Sequence, residues 1–505
     1  MKTEDMLDLI SDVDPESVEE AGNYDIRKNK QEDPHKSGSR LKWIFPLTCV
    51  AAAVLAFICI LLFQNGRIEV KETENTEKYE DSTEVSPPNT VKADVIKVEA
   101  TYPAPVGKEL SIQEYRDSDT EREWWYSKRP SINTSSTYVS SMSPYYSTIM
   151  QKLLTGTDEN MVCSPLNTYV AFSMLAEITS GESRDQILKM LNISDMNTLR
   201  TNVKCLWESN YDDTPMVNSL LANSIWLDST IKYNDSTLKT LAEQYYASSF
   251  RGTPGSAEFD EALQKWTNEN TGNLLSEYTK KMTIGPDTVM ELVSTIYFKA
   301  EWTKPFSSGE TSKAVFYGVK GNTTVDMMHM QTKLDAYITR NFTSISLALT
   351  NGGAMHFYLP RPGIDVNTLA SDPDVLKATR LSENDENRHR VEAKLSIPKF
   401  KISGTQDLRE IMKELGVTDI FDYTKADFTP ITDEQHETFL DKADHAAMVE
   451  IDEQGVIGTA YTAIVAAEES IVNERLEFNL NRPFMFVITG PDGAVLFSGI
   501  VRNIE

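Results

Sequence analysis

Between Trp43 and Phe63 the chain runs for 21 residues without a charge, and that run fixes the frame for the rest. As a helix rising ~1.5 Å per residue it spans ~31 Å, the thickness of a bilayer's hydrocarbon core. A helix buried in a protein core is the plainer alternative, but the flanks favour a membrane span. Arg27, Lys28, Lys30, Lys36, Arg40 and Lys42 precede the run, and Glu69, Glu72 and Glu74 follow it, which puts the N-terminus in the cytoplasm and everything after Phe63 outside. A cleaved signal peptide fits less well, because Leu61-Leu62-Phe63-Gln64-Asn65 offers no small-x-small cleavage site. The expected arrangement is a single-pass protein of the cell membrane: a disordered cytoplasmic tail over 1–42, a transmembrane helix over 43–63, an acidic stalk over 64–135 and a folded domain over 136–505.

Composition removes several function classes. The formal net charge of −27 leaves no Lys/Arg surplus to neutralise a phosphate backbone, which excludes nucleic acid as a partner. Cys49, Cys59, Cys163 and Cys205 are too few for a disulfide framework and lack paired ligand spacing, so neither structural zinc nor any other cofactor is expected. Cys163 and Cys205 pair only if the fold brings them together. His35, His329, His356, His389, His436 and His445 are scattered, and neither a Gly-x-Ser-x-Gly elbow nor a His-Glu-x-x-His motif is present. No enzymatic activity is expected.

From Gln64 to about Ser135 the chain is acidic, carries Pro87-Pro88, Pro103 and Pro105, and lacks sustained periodicity. As a flexible coil such a segment reaches roughly 45 Å. Trp124-Trp125-Tyr126 interrupts it and is expected to dock on the following domain. Ser164-Pro165 has the form of an N-cap followed by proline at the first helical position, with Val170, Ala171, Met174, Leu175 and Ile178 on one face. Gly181 is expected to end that helix, and Ser183-Arg184-Asp185-Gln186 to start the next as a capping box. Leu292–Trp302, Met355–Leu359 and Phe484–Ile488 are apolar on both parities, as strands covered on both faces are. Pro491-Asp492-Gly493 then turns the chain into Val495–Val501. Early helices and later strands indicate an α+β domain with large sheets.

Several separated motifs, in order, resemble the serpin family from near Thr137 to Glu505. Asn160-Met-Val-Cys-Ser164-Pro165 resembles the entry into the family's central helix, and Gly181-x-Ser183-x-x-Gln186 the segment after it. Leu292–Trp302 is similar to a central-sheet strand and Ile397-Pro398-Lys399-Phe400 to a strand of a neighbouring sheet. Ile451-Asp-Glu453-Gln-Gly455 resembles the hinge, and Asn481-Arg482-Pro483-Phe484 the strand after the reactive loop. The resemblance implies a large central mixed sheet, two further sheets, about eight to nine helices and an exposed C-terminal reactive loop over about 453–478. It also implies a suicide-substrate inhibitor, here a monomeric, bacterial, membrane-anchored one. A protease cleaves the loop and forms an acyl-enzyme, and the freed loop inserts into the main sheet; loop insertion and the release of stored strain are established serpin behaviour.

A strand alternates its side chains between faces, so every second residue of an inserting hinge enters the core. Counting from Gly455, the inward set is Val456, Gly458, Ala460 and Thr462, all uncharged and modest in size, while the bulkier Ile457 and Tyr461 fall on the other parity. About 14 inserted residues at ~3.3 Å each would carry a tethered protease ~46 Å. The resemblance also implies an ion pair between Glu453 and Lys399 beside Trp302 where insertion begins, and a polar network around His445 beneath it. In that network Ser164 and Asn167 lie on the helix and Ser294 on the central strand, where the family places asparagine; an amide and a hydroxyl exchange places. Hinge spacing puts the scissile bond at Glu469-Ser470; counting back from Pro483-Phe484 points to Val472. Glu469 suits a glutamate-specific protease, and Ala466, Ala467, Ile471 or Val472 an elastase-like one, serine or cysteine in type. A serpin fold used only for binding or adhesion is the alternative.

Overall fold

A computed structural model describes residues 96–273, 276–433, 439–440, 443–456 and 474–504. The expected tail, membrane helix, the stalk up to residue 95 and the loop residues Gly458, Ala460, Thr462, Ala466, Ala467, Glu469, Ser470, Ile471 and Val472 lie outside them.

Helices dominate the first part: β1 (Ile96–Val98), α1 (Ile112–Arg116), α2 (Asp119–Val139), α3 (Ser143–Leu154), β2 (Met161–Cys163), α4 (Pro165–Ile178), α5 (Gly181–Met190), α6 (Met196–Asn210), β3 (Asp212–Asp213), β4 (Val217–Asp228), α7 (Asp235–Gln244), β5 (Ala247–Gly252), α8 (Ala257–Glu269), α9 (Ser276–Thr279) and β6 (Met290–Glu301). Strands dominate the second: β7 (Ser312–Gly318), β8 (Gly321–Ile338), β9 (Phe342–Ala348), β10 (Ala354–Pro360), α10 (Pro373–Ala378), β11 (Arg388–Pro398), β12 (Phe400–Asp407), α11 (Arg409–Glu414), β13 (Asp444–Ile451), β14 (Gly455–Val456), β15 (Glu474–Asn479), β16 (Phe484–Thr489) and β17 (Val495–Val501). Eleven α-helical segments among the described residues exceed the expected eight to nine, because α1, α9, α10 and α11 are single turns or little more.

An eight-stranded mixed sheet runs β1-β5-β4-β6-β14-β13-β12, with β3 on β4. A nine-stranded sheet runs β15-β11-β8-β9-β10-β16-β17-β2, with β7 on β8. The expectation of two further sheets is corrected to one. The cause is β8, whose Gly321–Met327 half pairs β7 and whose Met327–Tyr337 half pairs β11, so the hydrogen-bond ladder continues without a break. The stretch Ile397–Phe400 is likewise a corner and not one strand. Pro398 ends β11 in the nine-stranded sheet and Phe400 opens β12 in the other, where its ring meets Phe484 at 5.6 Å and Phe486 at 5.7 Å.

The principal core lies between the two sheets, around α4. Ser164 caps this helix, its Oγ accepting from Asn167 N, and Pro165 fills the first position. Nearly every α4 residue is buried rather than one face, because β6, β17, α5 and α6 all pack against it. Strands β10, β16 and β17 are buried almost throughout, as continuous apolar runs require.

Two local expectations are corrected. Gly181 opens α5 instead of closing α4, and Ser183-x-x-Gln186 forms no capping box: Ser183 Oγ accepts from Asp427 N, and Gln186 Oε1 accepts from Thr418 N and Asp419 N. The stalk is shorter than expected, because residues from Ile96 onward are folded against the domain. β1 pairs β5, and Tyr115 and Lys128 are buried. Of the aromatic cluster, Trp124 and Trp125 are half-buried and Tyr126 is 61% exposed. Cys163 and Cys205 remain separate thiols.

Candidate functional site

Strand β6 is long, and Trp302 follows its C-terminal end; it is not covered on both faces as expected, because Leu292, Ser294 and Ile296 on one parity are only half-buried while Val293 and Thr295 on the other are buried. Around that end the chain from β13 makes a tight turn. Asp452 Oδ1 accepts from Gln454 N at 2.8 Å and Gly455 N at 3.2 Å, and Asp452 N donates to Gly455 O at 3.0 Å. The turn is fastened to β6 by Trp302 N donating to Gln454 O at 2.8 Å and Trp302 Nε1 donating to Asp452 O at 3.0 Å. Trp302 is fully buried, and Phe306 N donates to Glu453 O.

From this turn Gly455 and Val456 enter the sheet as β14, antiparallel to both neighbours. Gly455 lies opposite Glu301, and Val456 lies opposite Ala300 on one side and Ile451 on the other. A Cβ on Gly455 would stand 2.3 Å from Ala300 O, so the entry point requires glycine. Val456 is 1% exposed and belongs to the principal core. The expected loop span of about 453–478 is thereby narrowed: residues 453–456 are turn and strand, and 474–478 belong to β15, which is parallel to β11. Among the described residues β6 and β13 meet only through β14. Between them lies a cavity of about 150 Å³ whose lining includes Ser294 and Ile296 of β6, Ala446 and Met448 of β13, Thr271 after α8 and Tyr278 of α9.

Glu453 and Lys399 meet across the turn, Nζ to Oε2 at 2.9 Å, and Thr311 Oγ1 donates to Glu453 Oε1 at 2.8 Å. Burial by itself raises the Glu453 carboxyl, but the bonds from Lys399 and Thr311 outweigh it and hold the group below the ordinary glutamate range. Thr311 carries no sequence signal for this role; it lies 142 residues from its partner.

Deeper in the sheet, His445, Ser164, Asn167 and Ser294 converge. Ser164 N donates to His445 Nε2 at 2.9 Å, which requires an unprotonated Nε2. Asn167 Nδ2 donates to Ser294 O at 2.7 Å, and Ser294 Oγ lies 2.5 Å from Asn167 Oδ1 and 2.6 Å from Asn223 Oδ1. Asn223, on β4, is the member that sequence reasoning missed. Its own Nδ2 donates to Tyr245 O at 2.7 Å. Both amide groups are anchored through their nitrogens, so neither turns over without losing a bond. One hydroxyl proton therefore serves two amide oxygens, a shared bond that ties α4 to β6 and β6 to β4.

Burial pushes His445 down to about 4. The unfolded chain takes up this proton near pH 6.5 and the native state only near pH 4, so the contribution is complete above about 6.5 and is lost as pH falls through that window. The loss amounts to about 3 kcal/mol. Denaturant midpoints are expected to drop between pH 7 and pH 4, and His445→Gln, whose amide oxygen can accept the same bond, to drop less steeply. His356, pushed by burial to about 3, supplies a slope common to both proteins. Identical slopes in the two proteins would rule out His445 as a source.

Comparisons with known proteins agree with this geometry. The family described as "Serpin (serine protease inhibitor)" matches residues 145–504. Serpin B11 of Mus musculus is 30% identical over 365 residues, covering 68% of this chain and 92% of its own. The leukocyte elastase inhibitor of Xenopus laevis is 27% identical over 354 residues, covering 67% and 92%. Among solved structures, the thermophilic serpin tengpin in its native state superposes with a TM-score of 0.64 at 23% identity, covering 73% of this chain and 94% of tengpin.

Proposed function

This chain belongs to the serpin family, most of whose members inhibit proteases rather than catalyse reactions, and from that premise we propose that it traps a protease as a suicide substrate outside the cell, tethered by the helix over 43–63. The observation that carries the reading is β14: the hinge is already a strand between β6 and β13, with Val456 in the core. Extension of that strand along β6 and β13 pairs backbone groups on both sides of the inserted loop and places Gly458, Ala460 and Thr462 on the parity of Val456. The Lys399–Glu453–Thr311 cluster fastens the turn from which the strand grows. The network of Ser164, Asn167, Ser294 and His445 restrains the parting of the sheet.

Glu469-Ser470 is the proposed scissile bond, with Ala467, Ile471 and Val472 as alternatives, and the proposed target is a glutamate-specific or elastase-like serine or cysteine protease. Glu468, Glu469 and Glu474 would steer a cationic enzyme to the loop. Incubating the protein with elastase-like, trypsin-like and glutamate-specific proteases is expected to yield an SDS-stable complex with one class and a single cut within 466–472. Cleavage without a complex across the panel would leave a substrate or binding module and refute the trap.

A further inference from the structure

The cavity of about 150 Å³ in the gap between β6 and β13 extends toward α8. Thr267 of α8, Thr271 and Tyr278 contribute to its lining, and among the described residues no member of α4 does. Successive side chains of β6 point to opposite faces. Phe298 and Ala300 join the principal core together with Val456, whereas Val293 joins Phe259, Leu263 and Trp266 of α8 in a separate cluster. The α8 side of the gap is therefore the face opposite to the Val456 side chain.

Register decides which loop residue reaches this space. Val456 lies opposite Ala300 of β6 and Ile451 of β13, and β14 is antiparallel to both. Each further residue of an inserting loop thus steps back by one on each neighbour. Tyr461, five positions beyond Val456, falls opposite Thr295 and Ala446, and both line the cavity. It lies outside the described residues, but an odd step from Val456 turns its ring to the α8 face. Ile457 has the same parity and falls opposite Lys299 and Glu450, neither of which lines the cavity. Size and polarity agree with the register. A cavity of about 150 Å³ in a protein core takes up a benzene ring, and the tyrosine side chain ends in that ring with one hydroxyl. Thr267 is 3% exposed and its Oγ1 has no hydrogen-bond partner. A buried phenol needs such a partner as much as Thr267 does.

We propose that this cavity is a preformed seat for the Tyr461 side chain, which fixes the inserted loop in register with its hydroxyl on Thr267. This rests on the reading that the loop inserts as a strand. The test uses the full chain in mild detergent, before and after a single cut in the loop. Acetylation of Tyr461 by N-acetylimidazole, read by mass spectrometry on the peptide that contains it, is expected to fall about tenfold after the cut. Tyr461→Ala is expected to leave the melting temperature of the uncut protein unchanged and to lower that of the cut protein by about 5 °C. Ala446→Leu, which fills the seat from β13, is expected to lower the cut protein's melting temperature as well, and the pair A446L/Y461A to return it toward the wild-type value. If the wild type gains heat stability on cutting while Tyr461 stays as reactive as before, or Tyr461→Ala gains as much, the seat is overturned and insertion stands. A wild type that gains none would overturn the insertion reading, and the seat with it.

Discussion

Val456→Arg is expected to abolish the SDS-stable complex while leaving loop cleavage at its wild-type rate, turning the inhibitor into a substrate. The side chain at 456 is 1% exposed between β6 and β13. A guanidinium there has no carboxylate partner, and an unpaired buried charge costs several kcal/mol. In the uncleaved protein the two-residue strand β14 can withdraw and leave the arginine in water. After cleavage and insertion it cannot, because every later residue is held in register by its neighbours. Insertion is slowed, the acyl-enzyme hydrolyses first, and the protease leaves intact. Ile457→Arg provides the contrast: on the opposite parity its charge faces solvent, and trapping should persist. Equal loss of complex in both variants would remove the parity argument.

Asn167→Ala carries the second large effect. Its amide holds Ser294 O at 2.7 Å and lies 2.5 Å from Ser294 Oγ, linking α4 to β6 inside a buried region. Alanine leaves the Ser294 carbonyl without that donor and returns the hydroxyl wholly to Asn223. Removing one partner of buried hydrogen bonds costs about 1–3 kcal/mol for each group left unsatisfied. The loss falls on a contact that resists opening, so it should appear in kinetics as well as in stability. Heating below the melting temperature is expected to convert the variant several-fold faster than wild type to polymer or to a monomer that no longer traps. Size-exclusion profiles over time measure this. An unchanged monomer fraction together with an unchanged melting temperature would show that the network does not restrain the sheet.

The parts legible in the sequence are those whose signals are local or carried by motif. Ser164-Pro165 marks the start of α4 because an N-cap and a first-turn proline have a short-range cause. The continuous apolar runs of β10 and β16 announce strands covered on both faces. Lys399 with Glu453, and Asn167 with Ser294, were placed only through family resemblance, and the contacts between them lie across 54 and 127 residues of chain. Asn223 had no such guide: an asparagine inside a buried strand looks alike whether or not it shares a proton.

The folded stretch before Val139 was hidden for another reason. α2 buries only Lys128, Ser135 and Val139 among its 21 residues and contains Pro130, so no apolar stripe reveals it, while β1 is three residues long. These elements hold to the domain through polar and aromatic contacts with distant partners, which leave no periodicity to read. The single ladder through β8 escaped notice similarly, because its pairing partners change along one uninterrupted strand.

Trapping depends above all on the sheet accepting the cleaved loop between β6 and β13. The most direct measurement is the melting temperature of the protein before and after a single cut in the loop by a protease that is then removed. Insertion predicts a rise of tens of degrees, because the new strand completes the hydrogen-bond ladder on both sides and adds Gly458, Ala460 and Thr462 in succession to the Val456 already buried. A melting temperature unchanged by the cut would contradict the account.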